Sequence, residues 1–475
     1  METIKTQVLI IGGGAAGLNT ALNLNTSDTI LIEKNTANSI LSPWNMMIKS
    51  KKELKKAILK AGNKTNNLNL LNVFFKNNDQ AIKDLKKIGI KLKKSNLGLI
   101  PDYTLPGLET RKIFLKKIKR KKIKLIKGEI NNFLLNKQEK IKGVSASILN
   151  SNKKIKIFFN YLVLAGGGMG GFFPFKTGTN DSDGSILSLC YEAGFKMRDL
   201  EFLMFHPFLI SDKRLPKLLI SGNILTQMEY EDEKGKQFLS KEIIKSLKTN
   251  KHHSVFPQMT KEFYLQSLKS KIFGKLICSN EWFEKFKKEN EFGFIFKNFK
   301  KDALKKIEIH PAFHFSIGGL VINKNSQTNH SNVYAAGEIT GGLHGTNRIG
   351  GLAVLEALIF GKKAALNINE KIKKQTKKII IPEQIKTIGK LDISDKIKNM
   401  AWQALGPVKN KKTLNDFKRY LEKKKKLTSQ EKLLKKITEI CLLRKESIGT
   451  FYRTNLKQKK TATASFLINN DIVFK

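Results

Sequence analysis

The sequence predicts an α/β fold with an inserted α+β unit and a helical C-terminal domain. Three observations carry that expectation. A strand, a glycine cluster, a helix and a second strand follow one another between Thr6 and Glu33. Strand-into-glycine text returns at Tyr161–Gly171 (YLVLAGGGMGG) and after Val333 (VYAAGEITGGLHGTNRIGG). Between about 203 and 306 the chain changes character, to short strands and charged helices without a glycine-rich loop. The expected organisation is one α/β domain from 1–202 and 307–375, a capping insertion at 203–306 and a helical domain at 385–475.

The N-terminal element explains itself. Thr6–Ile11 (TQVLII) is a short apolar run, and Gly12-Gly13-Gly14-Ala15-Ala16-Gly17 follows at once. Leu18–Leu24 continues with helical spacing, and Thr29–Glu33 (TILIE) is a second strand. Gly12 permits the tight turn, Gly14 a close approach of backbone to a pyrophosphate, and Gly17 the packing of helix on sheet. Amides at the helix N-terminus, including Ala15 and Ala16, face the phosphates. Glu33 lies 21 positions after Gly12, where an acid accepts the hydroxyls of a ribose. Strand, glycines, helix, strand and acid in register predict a bound dinucleotide. A glycine-rich turn without a ligand would leave Glu33 unexplained.

Further along, Ala37–Ile48 (ANSILSPWNMMI) reads as a loop, and lysine-rich helical patterns fill about 50 to 88. Lys121–Gly128, Gly143–Leu149 and Lys154–Phe159 read as strands, and Tyr161–Gly171 as an apolar strand entering glycines, a second backbone approach to a cofactor. From 385 onward the pattern is amphipathic and helical, ending in LLRKESIGTFYRTN (442–455) and a short tail.

Residues 310–365 hold the densest chemistry. Arg348 stands there among glycines and histidines, one of eight arginines in a chain with eighty lysines. A chain that has nearly abandoned arginine and keeps one there points to a planar, bidentate cation facing a carboxylate.

Bulk properties narrow the class. No apolar run is long enough to span a membrane, and the first strand begins too early to leave room for a signal peptide. Cys190, Cys278 and Cys441 are far apart with no CxxC or CxxCH, which argues against disulfide scaffolding, an iron–sulfur cluster or attached c-type haem in this chain, and no metal site is expected. A soluble, cytoplasmic protein is expected. The formal charge of +48 comes with excess Lys, Asn, Ile and Phe, the signature of AT-rich coding. The basic stretches at 116–127 and 423–426 have apolar interruptions and read as solvated faces, so nucleic acid is not an expected partner.

Taken in order, these motifs resemble the flavoprotein family of succinate dehydrogenase, fumarate reductase and L-aspartate oxidase. IIGGGAAGLNTALNL with LIEK resembles the FAD entry motif, and LVLAGGGMGG the second FAD contact. TGTNDSDGSILSLCYEAGFKMRDLEFLMFHP (177–207) is similar to the segment that joins FAD and capping domains. HFSIGGL and VYAAGEITGGLHGTNRIGG resemble the substrate wall and flavin contact, and RKESIGTFYR the C-terminal helical domain. The resemblance implies a Rossmann-like FAD-binding domain. It places FAD contacts at Gly12, Gly14, Ala15, Ala16, Gly17, Glu33 and Lys34, at Ala165, Gly166, Gly167 and Asp183, and at Glu338, Gly350, Gly351 and Leu352. It gives Arg348, His314 and His206 to the substrate carboxylates. His344 stands between a site role and shaping the flavin loop, His310 is expected to be structural, and His252, His253 and His330 solvated. Arg453 faces either the flavin or a domain interface.

Two departures stand out. The family's proton relay has no clear counterpart in LLISGNILTQMEY (218–230), where Gly222 and Ile224 stand instead, and its general-acid arginine is matched by Lys241 in GKQFLSKEIIKSL. In Ala37–Ile48 no histidine is present, so non-covalent FAD is implied, and Trp44, Met46 and Met47 replace small residues, crowding the flavin edge or re-aiming the loop. The implied activity is hydride transfer between flavin N5 and a C4 dicarboxylate, as in fumarate reductase or succinate dehydrogenase. L-aspartate oxidase, making iminosuccinate for NAD biosynthesis, is the alternative. A degenerate flavin-binding protein with an interaction role is the third reading. The electron partner is left open: oxygen, a quinone, a small carrier or a separate iron–sulfur subunit.

Overall fold

The computed structural model describes the chain except residues 36, 48, 96–97, 216, 218, 220–221, 249–251, 291–292 and 375–377. Its centre is a parallel array in the spatial order Lys124–Leu135, Thr29–Glu33, Glu2–Ile11, Lys154–Leu164 and Val333–Ala335. The buried stretches of the three central strands, VLII, ILI and LVL, are continuous Val, Ile and Leu because helices cover the sheet. Val8–Ile11, Leu31–Ile32 and Leu162–Leu164 are all buried. Three strands exceed their expected lengths. The strand expected over Lys121–Gly128 runs Lys124–Leu135. The N-terminal strand starts at Glu2, and Lys154–Leu164 is one strand where two were expected. Its first half pairs with Ile141–Ile148 on one side while its whole length pairs with Glu2–Ile11 on the other. Asn160 lies beyond the antiparallel stretch, its Nδ2 donating to Gln7 Oε1 of the neighbouring strand at 2.8 Å.

Gly12 and Gly17 explain how the first helix, Ala15–Asn23, comes so close to the sheet. Gly12 has φ +107°, and a Cβ there would lie 2.1 Å from the Ala165 carbonyl oxygen. A Cβ on Gly17 would lie 1.9 Å from the Gly12 oxygen. The long helix Ala353–Lys374 packs against Ala15–Asn23, with Asn19 Nδ2 donating to the Leu358 carbonyl at 2.6 Å.

The inserted region has its own sheet, in the order Leu203–Ile210, Ile307–Ser316, Ile272–Leu276, Met228–Asp232, and its own apolar core around Phe208, Tyr230, Phe263 and Ile309. Ile307–Ser316 therefore pairs with the insertion's strands and carries His314 back toward the main sheet. Ile224, expected at a relay position, is a core residue of this unit. Leu218, Ile220 and Ser221 of that motif lie outside the described residues, as do the side chains of His252 and His253.

The region 385–475 is not wholly helical. Helices Asp395–Leu405, Lys411–Glu422 and Ser429–Leu443 are present, the last opened by a Thr428–Glu431 capping box. Lys386–Ile388, however, pairs antiparallel with Lys124–Leu135. The tail forms a hairpin, Ser465–Ile468 with Asp471–Phe474, that adds to Met197–Arg198. Asn469 and Asn470 both have positive φ, 49° and 70°, which matches the twist a two-residue hairpin turn needs. Two short apolar runs, FLI and IVF, flanking an Asn-Asn pair were the overlooked signal.

Candidate active site

A cavity of about 680 Å³ runs along the carboxyl ends of the parallel strands. Its one end is the glycine loop. Gly12, Gly14, Ala15, Ala16, Glu33 and Lys34 border it, with Ala165, Gly166 and Gly167 from the second strand–glycine motif. Gly14 and Gly350 show what the space is for. A Cβ at Gly14 would meet nothing nearer than 3.8 Å, and one at Gly350 nothing within 4 Å, yet both positions border the cavity. Neither needs to be glycine for the protein's own packing. Open space beside a helix N-terminus fits a pyrophosphate and flavin. Three residues expected to touch the cofactor sit behind this wall. Gly17 packs on Gly12, Leu352 is 1 % exposed in the core, and Asp183 accepts from Lys34 Nζ at 2.6 Å and from the Ser185 amide at 3.0 Å. Lys34 also pairs with Glu129, so it braces the end of its strand.

The other end is built by Thr177, His206, His314 and Arg348, with Glu338 between the two halves. Arg348 Nη2 donates to His314 Nε2 at 3.1 Å, and its guanidinium carbon lies 4.4 Å from the Phe315 ring centroid. Its Nε is buried with no partner among the described residues. His314 Nδ1 is 2.8 Å from Thr177 Oγ1. Because Nε2 accepts from the guanidinium, the proton of the neutral ring belongs on Nδ1 and is donated to Thr177. Burial, then Arg348 and His206, push the His314 pKa well below its usual value, so the ring stays neutral. His206 Nδ1 accepts the Phe208 amide at 3.3 Å, which leaves its proton on Nε2. The two imidazole centroids are 5.7 Å apart.

Glu338 follows the strand Val333–Ala335 and accepts the Ser316 amide at 3.0 Å. Burial raises its pKa to about 7, against the pull of Ser316, Arg348 and Asn38. A carboxyl raised from the ordinary 4.5 adds stability that is complete below pH 4.5 and is lost as pH rises through 7. Glu338→Gln is therefore expected to flatten the decline in apoprotein melting temperature between pH 5 and pH 8, an effect of up to about 3 kcal/mol. Parallel wild-type and variant curves would remove Glu338 as its source.

Several expected roles move. Lys241 is the first residue of the helix Lys241–Lys248, is exposed, and does not border the cavity. The lysine of the insertion that does border it is Lys217. Trp44 re-aims its loop rather than crowding the flavin edge. It is fully buried with φ +56°, its Nε1 donates to the Ser39 carbonyl at 2.8 Å, and its ring lies 6.0 Å from Phe114. That turn delivers Asn45 to the cavity, while the Met47 amide donates to the Gly351 carbonyl at 2.9 Å. His344 Nε2 bonds Glu356 Oε2 at 2.9 Å, tying the loop to the long helix away from the cavity wall. His310 is stacked on Phe175 and held neutral by burial, its pKa near 4. His330 packs on Phe195 and is half-buried. Arg453 donates to the Cys441 and Leu442 carbonyls, closing the C-terminal packing. Thr177, Asn45, Lys217 and Arg111 were missed; only Arg111 carried a signal, as another of the eight arginines.

A dinucleotide cradle joined to an arginine–imidazole wall defines a flavin-dependent oxidoreductase. The family model described as "FAD binding domain" matches residues 7–354, and the chain belongs to that FAD-dependent oxidoreductase family, which takes in L-aspartate oxidase and the fumarate reductase and succinate dehydrogenase flavoproteins. L-aspartate oxidase of Clostridium perfringens is 26% identical over 402 residues, 77% of this chain and 87% of that protein. An uncharacterized FAD-dependent oxidoreductase of Methanocaldococcus jannaschii is 22% identical over 96% of this chain and 95% of its own length. In fold, a quinol-fumarate reductase chain superposes with a TM-score of 0.79 at 16% identity, covering 100% of this chain and 98% of that one. The cofactor is FAD. Among the described residues no helix is long and apolar enough to cross a membrane.

Proposed function

We propose that this protein moves a hydride between FAD and a C4 dicarboxylate of the succinate–fumarate kind. One observation carries the reading: a half-buried arginine, hydrogen-bonded to the neutral His314 ring with His206 beside it, closes one end of a cavity fit for FAD. FAD, when bound, supplies the hydride chemistry; the protein's share is binding and orientation. Arg348 takes one carboxylate with its planar fork, and His206 offers its Nε2 proton to the other. His314, locked by Thr177, keeps the guanidinium plane fixed. Glu338 is turned toward the Ser316 amide and raised to about 7, so it opposes the substrate's charges less than an ionised carboxylate would.

The proton exchanged with the substrate carbon is assigned to Lys217, the lysine of the insertion on the cavity wall. Lys217→Met is expected to lower turnover by about 10²-fold or more, and Lys241→Met to leave it within about twofold. The opposite ranking in steady-state rates would return the acid's role to Lys241.

L-aspartate oxidation to iminosuccinate is the second reading, favoured by the named relatives. Oxygen-free mixing of the purified yellow protein separates the two. Bleaching by succinate, or recolouring of the reduced protein by fumarate, supports the first reading. Bleaching by L-aspartate alone replaces it with the second. Silence with all three, flavin bound, overturns both and leaves the interaction role.

A further inference from the structure

We propose that Arg111 is a positioning residue for the adenosine half of the cofactor, acting through Glu33. Arg111 lies in the helix Pro106–Arg120, far in sequence from both groups it holds. Its Nη2 meets Glu33 Oε1 at 2.5 Å and its Nη1 donates to the Gly13 carbonyl. The pair is buried, with side chains 8 % and 5 % exposed. Lys127 adds a second cation on the same oxygen, Nζ to Oε1 at 2.7 Å.

This arrangement solves two physical problems at once. A bare carboxylate at the end of the second strand repels the pyrophosphate bound by the neighbouring glycine loop. Two cations on Oε1 cancel that charge locally. With Oε1 occupied, Oε2 is the atom left for a ribose hydroxyl, and the fork fixes where it points. It lies against Gly13, where a Cβ would fall 1.5 Å from it. The same guanidinium pins the carbonyl of the loop that cradles the phosphates, so ribose acceptor and phosphate cradle are held by one rigid plane. Lysine offers its three N–H donors from a single nitrogen, without the planar fork that holds carboxylate and carbonyl at a fixed spacing.

The inference rests on the FAD assignment and on Glu33 facing the adenosine ribose. It is tested with apoprotein titrated with FAD and with the FAD analogue lacking the adenosine 2′-hydroxyl, reading flavin fluorescence. Wild type is expected to prefer FAD by about 10-fold or more, the size of a hydrogen bond to a charged group. Glu33→Gln and Arg111→Met are expected to bring that preference below about threefold, with Arg111→Lys in between. A preference kept by Arg111→Met and lost in Glu33→Gln overturns the positioning role and keeps the ribose assignment. No preference in wild type overturns both. An Arg111→Met protein that merely weakens FAD and the analogue equally, with a lower melting temperature, marks Arg111 as structural and overturns the proposal.

Discussion

Arg348→Lys is expected to lower dicarboxylate turnover by about 10²–10³-fold while leaving the dissociation constant of FAD within about threefold. The guanidinium does three things that an ammonium cannot do together. It stacks on Phe315, donates to His314 Nε2, and still borders the cavity with a planar fork for an incoming carboxylate. Lysine keeps the charge and loses the plane. The wall of the cavity that holds the dinucleotide is built by other residues, so flavin retention has little reason to change. Equal losses in both measurements, or none in either, would remove the carboxylate-binding role. A second readout is independent of turnover. The Arg348 charge helps to depress His314, so in Arg348→Met the His314 pKa rises part of the way toward its usual value. Burial, the larger cause, remains and keeps it low. An unchanged titration of His314, followed by NMR, would mean the guanidinium and the His314 ring are not coupled.

How much of this was legible depends on how local each cause is. The dinucleotide motif was readable because strand, turn, helix and acid are joined by short connections and each glycine has a steric reason. Arg348 was readable because composition made it rare. The clamp on Glu33 was not, since Arg111 is brought to it from 78 residues away by the packing of a helix with no motif of its own. The relation between Lys241 and Lys217 was hidden for a different reason. Matching a motif assigns a position along the chain and not which side chains border the cavity; Lys241 and Lys217 are both exposed, and of the two Lys217 borders it. Trp44 shows a third kind of gap. Its size was visible, but whether a large ring fills the cofactor's space or turns into the core depends on Phe114 and on a positive φ that one tryptophan rarely adopts.

Gly12→Ala and Gly14→Ala are expected to separate folding from cofactor binding, although both replace a glycine of one short loop. At Gly12 an added Cβ would lie 2.1 Å from the Ala165 carbonyl oxygen and 2.6 Å from its carbon, and φ is +107°. Both atoms are backbone, fixed by the Ala165 amide bonded to the Ile11 carbonyl at 2.8 Å, so nothing nearby can yield cheaply. The expected loss is about 3 kcal/mol or more, with FAD retention lost alongside the fold. At Gly14 the backbone is extended, φ −77° and ψ −175°, which alanine adopts freely, and the nearest atoms to an added Cβ are 3.8 Å away. The apoprotein of Gly14→Ala is therefore expected to melt within a few degrees of wild type. Its methyl group stands in the space reserved for the pyrophosphate, and such overpacking costs about 1–3 kcal/mol, or roughly 5- to 150-fold in FAD affinity. Thermal melts of the apoproteins and flavin-quenching titrations measure the two quantities separately. Wild-type affinity in Gly14→Ala would mean that the open space beside the helix N-terminus is not where the phosphates lie, and the orientation of the whole cofactor along the cavity would have to be reversed.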